Sequence, residues 1–119
     1  MQIKNYLDAD YWYQMYGSQA IGLPLVKKDG FAADMLNFAP NEKTSLHTHE
    51  GDHILFGVEG SGWIDCGDET QPIIKGTCYF IDGSQPHRVR AGNDGLFLLS
   101  IANKHQPVDS EKRLVIINA

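Results

Sequence analysis

Four of the five histidines fall in one pattern. The run His47-Thr48-His49-Glu50-Gly51-Asp52-His53 holds three of them, and Pro86-His87 arrives 34 residues after His53. Side chains alternate faces along an extended strand, so His47 and His49 point the same way, about 7 Å apart along the chain. Neutral imidazole is the commonest protein ligand for transition metals. Two imidazoles on one strand converge on a single ion if His53 and His87 reach the same cavity from other strands. The chemistry indicated is a mononuclear metal site inside a small β-barrel.

The elements that must position these residues are short. Turn residues recur about every 8 to 12 positions, as in Lys28-Asp29-Gly30, Ala39-Pro40-Asn41, Glu59-Gly60-Ser61-Gly62, Cys66-Gly67-Asp68, Asp82-Gly83-Ser84 and Asn93-Asp94-Gly95. Between them lie apolar or alternating runs: Phe31 to Phe38, Ile54 to Val58, Trp63 to Cys66, Gln71 to Lys75, Cys78 to Ile81, Arg88 to Ala91 and Leu96 to Ile101. Many short strands with regular turns predict an all-β sandwich or barrel. Lys28-Asp29-Gly30 and Asn93-Asp94-Gly95 read as tight hairpin turns. Arg113 to Ile117 reads as a last β segment.

Residues 1–20 differ from the rest, and 21–119 form the single barrel domain. Asp8 or Asp10 is placed to cap one or two helical turns ending at Gly17. Tyr11, Trp12, Tyr13 and Tyr16 crowd this arm, either as a wall at a cavity mouth or as cover for a sheet edge. That edge belongs to this chain or to a second copy, which would make a homodimer.

At 119 residues the chain suits one domain with one core. A net charge of −5 offers no basic footprint for nucleic acid or anionic lipid. No apolar run approaches a membrane span, and the N-terminus lacks the pattern of a secretory signal. Cys66 and Cys78 make neither a disulfide framework nor a Cys-x-x-Cys pair, and read as reduced, partly buried thiols. The expected setting is cytoplasmic, with a small-molecule substrate or ligand.

The spacing resembles the cupin superfamily over roughly Ala39 to Ala91, a little under half the chain. The first cupin motif is Gly, five residues, His-x-His, three or four residues, Glu, six residues, Gly. Here Asn41 stands for the first Gly, His47 and His49 form the pair, His53 replaces Glu, and Gly60 closes the motif. In the second motif Gly76 opens, Asp82-Gly83-Ser84 replaces Pro-x-Gly, His87 is the ligand, and Ala91 stands for Asn. Asn41 tolerates a positive φ almost as Gly does. The resemblance implies a double-stranded β-helix, the jelly-roll barrel of two antiparallel sheets. With His53 in place of Glu, it also implies the four-histidine site of a minority of small cupins.

Such a site, held by His47, His49, His53 and His87, takes one divalent transition metal. Nitrogen donors argue against calcium and magnesium; manganese, iron, nickel, copper and zinc remain, with manganese or iron favoured. Four neutral ligands leave the ion its full charge, a strong Lewis acid with its lower oxidation state stabilised. Leu55 and Val89 share the ligands' faces, and Phe38, Met35, Ile81, Phe97 and Trp63 are further wall candidates. Tyr79 is the candidate catalytic acid or hydrogen-bond donor, because its strand runs into the His87 turn. His105 reads as a surface-loop residue. The favoured function is a metal-dependent, dioxygenase-like oxidoreductase acting on a small organic molecule. The alternatives are a lyase or isomerase on a sugar acid or similar compound, and a non-catalytic binder of a small molecule or metal.

Overall fold

Alternating apolar runs become strands here, joined by glycine and aspartate turns. In the computed structural model, which describes residues 1–117, the strands are β1 (Tyr13–Gln14), β2 (Ile21–Lys28), β3 (Phe31–Phe38), β4 (His47–Thr48), β5 (His53–Cys66), β6 (Glu69–Ile73), β7 (Cys78–Ile81), β8 (His87–Ala102) and β9 (Val115–Ile116). The barrel span expected to reach residue 119 is thus described to residue 117.

All named pairings are antiparallel, and they close a jelly roll through two long strands. The first half of β5 and the second half of β8 pair with each other. Around them β7 lies outside β5, and β3, β2 and β1 follow outside β8. The other halves of β5 and β8 also pair, flanked by β6 on one side and by β4 and β9 on the other. Each long strand therefore belongs to both layers, and the two layers curl over one core. Alternation sends Leu55 and Ile64 of β5, Val89, Leu96 and Leu98 of β8, and Leu36 and Phe38 of β3 into that core, where all are buried.

Two segments expected to turn do not. Glu59 to Gly62 lies within β5 and Asn93 to Gly95 within β8, where the register shifts between Gly60 and Gly62. Gly60 and Gly95 both have positive φ, +81° and +74°. A Cβ at Gly60 would collide with the Gly95 carbonyl. These glycines let two backbones touch at a bulge, which carries the same sequence signal as a turn. Lys28-Asp29-Gly30 does turn, with φ of 54° at Asp29 and 79° at Gly30, as a type I′ hairpin requires.

The N-terminal arm is not the helix its aspartates suggested. One 3-10 turn, Tyr6–Asp8, is capped by the Asn5 side chain. Tyr13 and Gln14 then pair with Gly22 and Ile21, so the arm covers the β2 edge within its own chain. Tyr6 and Trp12 pack against Phe97, with ring centroids 6.1 and 6.3 Å away. Phe97 is therefore covered by the arm. Trp63 lies 41% exposed beneath the Arg90 guanidinium.

Candidate metal centre

His47 and His87 are direct partners across β4 and β8. Alternation places His49, one residue past β4, on the same face as His47. His53 opens β5 in the opposite layer, opposite Ile81 and Ala102. The four imidazoles thus meet between the layers. Ring centroids are 4.4 Å apart for His47 and His87, 4.8 Å for His49 and His87, and 4.6 Å for His49 and His53.

The backbone holds three of the rings in one tautomer. Nδ1 of His47 lies 2.6 Å from the Ser45 carbonyl, Nδ1 of His49 lies 2.6 Å from Gly51, and Nδ1 of His87 lies 2.7 Å from Gln85. A carbonyl only accepts, so each Nδ1 donates and each Nε2 keeps its lone pair. Nδ1 of His53 faces the Ser100 hydroxyl at 3.4 Å. Nε2 of His49, His53 and His87 is buried with no hydrogen-bond partner among the described residues. Orphaned buried acceptors are costly. A bound ion would remove that cost for the nitrogens it reached, and carbonyl-anchored imidazoles are the usual arrangement around a metal.

The ligand atoms of His47, His49 and His87 all lie within 4.8 Å of one another, near twice a metal–nitrogen bond of about 2.0–2.1 Å. These three form the compact group able to hold a metal ion. His53 borders it through the His49 ring. Burial keeps all four rings neutral: it pushes the His47 pKa down to about 3 and that of His87 down to about 4, with neighbouring imidazoles adding to the effect. His49 and His53 are lowered by the same cause, His53 strongly. At neutral pH no proton competes with a metal for these nitrogens.

A cavity opens beside the rings, walled by His49, His53, Ser100, Asp34, His105 and Arg113 among others. Asp34 and Ser100 are register partners on β3 and β8, so both face inward. The Asp34 carboxylate accepts from His105 Nε2 at 2.6 Å. Only 12% of the His105 side chain and 8% of the Asp34 side chain are exposed, so His105 is no surface-loop residue. Arg113 ends a 3-10 turn, Glu111–Arg113, and β9 then pairs with β4 beside His47. Burial lowers the Arg113 pKa to about 10, against the opposing pull of Asp34.

Sequence reasoning missed these three residues. The available signal was Asp34 itself, a carboxylate between Ala32 and Leu36 on the buried face of β3. Tyr79 stands elsewhere. Its hydroxyl donates to the Pro72 carbonyl at 2.8 Å and accepts from the Ile74 N–H at 3.0 Å. Both capacities are spent tying β6 to β7, and its ring packs on the core rather than in the histidine cavity. Phe38, Met35, Leu55, Ile81 and Val89 are buried and absent from the cavity wall. Cys78 is exposed rather than partly buried.

The model of the cupin domain matches residues 34–101, more than half of the sequence. The chain belongs to the cupin family. This cupin has the fold of several solved structures. KdgF from Halomonas sp. superposes with a TM-score of 0.78 at 15% identity, over 89% of this chain and 96% of that one. The polyketide cyclase RemF from Streptomyces resistomycificus gives 0.79 at 23% identity, over 99% and 87%. A predicted oxalate decarboxylase from Thermotoga maritima gives 0.74 at 20% identity, over 87% and 98%. At these identities the likeness is one of fold. A search of curated proteins finds no match. Among the described residues no helix is long and apolar enough to cross a membrane.

Proposed function

We propose that His47, His49, His53 and His87 together hold one divalent transition metal ion. On this reading the cupin is a metal-dependent enzyme for a small, oxygen-rich organic molecule. The observation that carries it is the set of buried, partnerless Nε2 atoms of His49, His53 and His87, beside a His47 ring whose Nδ1 is anchored on a backbone carbonyl in the same way as those of His49 and His87. Nitrogen donors fit manganese, iron, nickel, copper or zinc rather than calcium or magnesium. When bound, such an ion supplies Lewis-acid polarisation of a chelating carbonyl or hydroxyl oxygen.

The reaction class favoured by the cavity is isomerisation or elimination on a hydroxy-carbonyl compound. The wall facing the histidines is polar and carries a carboxylate–imidazole pair, Asp34 and His105, suited to exchanging protons with a substrate. The all-imidazole donor set favours the second reading, a dioxygenase-like oxidoreductase, because neutral ligands stabilise the reduced ion.

One experiment separates the two. The protein is purified without oxygen, analysed for metal, and incubated in D2O with small hydroxy-aldehydes and hydroxy-acids under nitrogen and under air. Metal-dependent exchange of C–H for C–D under nitrogen supports isomerase or lyase chemistry. Turnover that appears only with oxygen consumption supports the oxidoreductase. Failure to retain any transition metal refutes the metal enzyme altogether.

A further inference from the structure

Four buried side-chain polar atoms lack a hydrogen-bond partner among the described residues. Three are the imidazole Nε2 atoms, and the fourth is Oδ1 of Asp34. Its other oxygen is held by His105, whose backbone N–H is itself anchored on the Gly30 carbonyl at 2.8 Å. The carboxylate is therefore fixed, 5% exposed, with one oxygen waiting for a donor in the cavity that His49 and His53 also line.

Arg113 is the second unmatched group of that wall. The one hydrogen bond of its side chain among the described residues runs from Nη1 to the Tyr16 carbonyl at 3.3 Å. No carboxylate among those residues lies within ion-pairing distance of it. A guanidinium has five donors in a planar fork, and four remain. Desolvation of this half-buried guanidinium lowers its pKa, and the Asp34 charge offsets that only in part. The other two carboxylates of the wall make contacts elsewhere. Asp52 accepts from the Gly83 N–H at 3.1 Å, and Glu50 faces Lys104 in solvent. Asp34 acts on Arg113 across the cavity from beyond ion-pairing distance, so no carboxylate of the chain fills the guanidinium fork directly.

We propose that Asp34, His105 and Arg113 form the substrate-recognition wall of this cavity, and that the substrate class is a small hydroxy acid. Arg113 takes the carboxylate through its fork, and Asp34 Oδ1 accepts from a hydroxyl, held in place by His105. Both contacts complete groups that the chain itself leaves incomplete. The assignment deepens the metal-enzyme reading and rests on the same cavity being the reaction site, but neither contact needs the metal as a partner.

The test uses D-glycerate and its uncharged counterpart glycerol, titrated by calorimetry and ligand-observed NMR into zinc-loaded and metal-free protein. Metal content is measured separately for every variant. Glycerate is expected to bind and glycerol to bind at least about tenfold more weakly, the scale of one charge-assisted contact. Arg113→Met should erase that preference, and Arg113→Lys should restore part of it. Asp34→Asn should weaken glycerate about tenfold while zinc content stays at the wild-type level. Equal binding of glycerate and glycerol by the wild-type protein overturns the proposal without any variant. So does no glycerate binding at tens of millimolar, or a preference that survives Arg113→Met. If zinc is not retained but Arg113 still selects glycerate, the metal reading fails and the recognition wall stands. If zinc is retained and glycerate is ignored, the reverse holds.

Discussion

The His49 backbone N–H donates to the Gly83 carbonyl at 2.8 Å, and the His49 ring lies where a Gly83 side chain would stand. A Cβ built on Gly83 would meet the Gly51 carbonyl and His49 Nδ1, the two ends of the hydrogen bond that orients the imidazole. Gly83→Ala should therefore lower metal affinity by about 10–100-fold, the usual cost of disturbing a partner behind a ligand. The ligand set stays intact. A chelator competition assay reads the change, and an unaltered affinity would mean that this contact does not set the ring.

His53 decides between three ligands and four. His53→Ala should lower metal affinity by an amount comparable with His49→Ala. His53→Glu should retain metal, because the same inward position would present a carboxylate. The added negative charge should then lower the reduction potential of a bound manganese or iron ion. Wild-type affinity in His53→Ala, together with an unshifted potential in His53→Glu, would leave the site with His47, His49 and His87 alone.

Tyr79→Phe removes a donor to Pro72 and an acceptor for the Ile74 N–H. Thermal or urea unfolding should show a loss of about 1–2 kcal/mol, with metal affinity unchanged. A drop in metal affinity with stability intact would move Tyr79 back to the site.

Asp65 lies between the Arg90 and Arg88 side chains, each with Nε at 2.7 Å from the carboxylate. Arg90 chiefly, with Arg88 and Thr70, holds its pKa below the usual 3.8, against the opposing effect of burial. A depressed carboxylate binds its proton less readily in the folded chain than in the unfolded one. Its stabilisation is therefore complete above about 3.8 and fades as pH falls towards the lower folded value. Asp65→Asn should be less stable than wild type at neutral pH by about 1–3 kcal/mol. The gap should close in acid. Unfolding curves for the two proteins, measured from neutral pH down through the carboxylate range, check this. A constant gap would show that the ion pairs contribute nothing specific.

The histidines were legible in the sequence because the His47–His49 pair is local and the others follow at motif spacing. Alternation aligns His47 with His49, and the motif spacing delivers His53 and His87 at the starts of β5 and β8. Asn41 filled its glycine position with φ of 66°, as its tolerance of that region foretold. Strands β3 and β7 were readable to the residue from their runs, since burial on one face imposes a period of two. What the sequence could not separate was a turn from a bulge at Gly60 and Gly95. Both need a missing Cβ, and only the approach of the opposing backbone tells them apart. Nor could it join Asp34, His105 and Arg113. Asp34 is brought to the cavity by its register with Ser100, His105 by an anchor on the β2–β3 hairpin, and Arg113 by the pairing of β9 with β4. Each is a long-range contact set by how the sheet closes. The sequence by itself therefore determined the family, the barrel and the imidazoles. The wall they face was decided by closure of the tertiary structure, because charges far apart in the chain acquire a shared cavity only there.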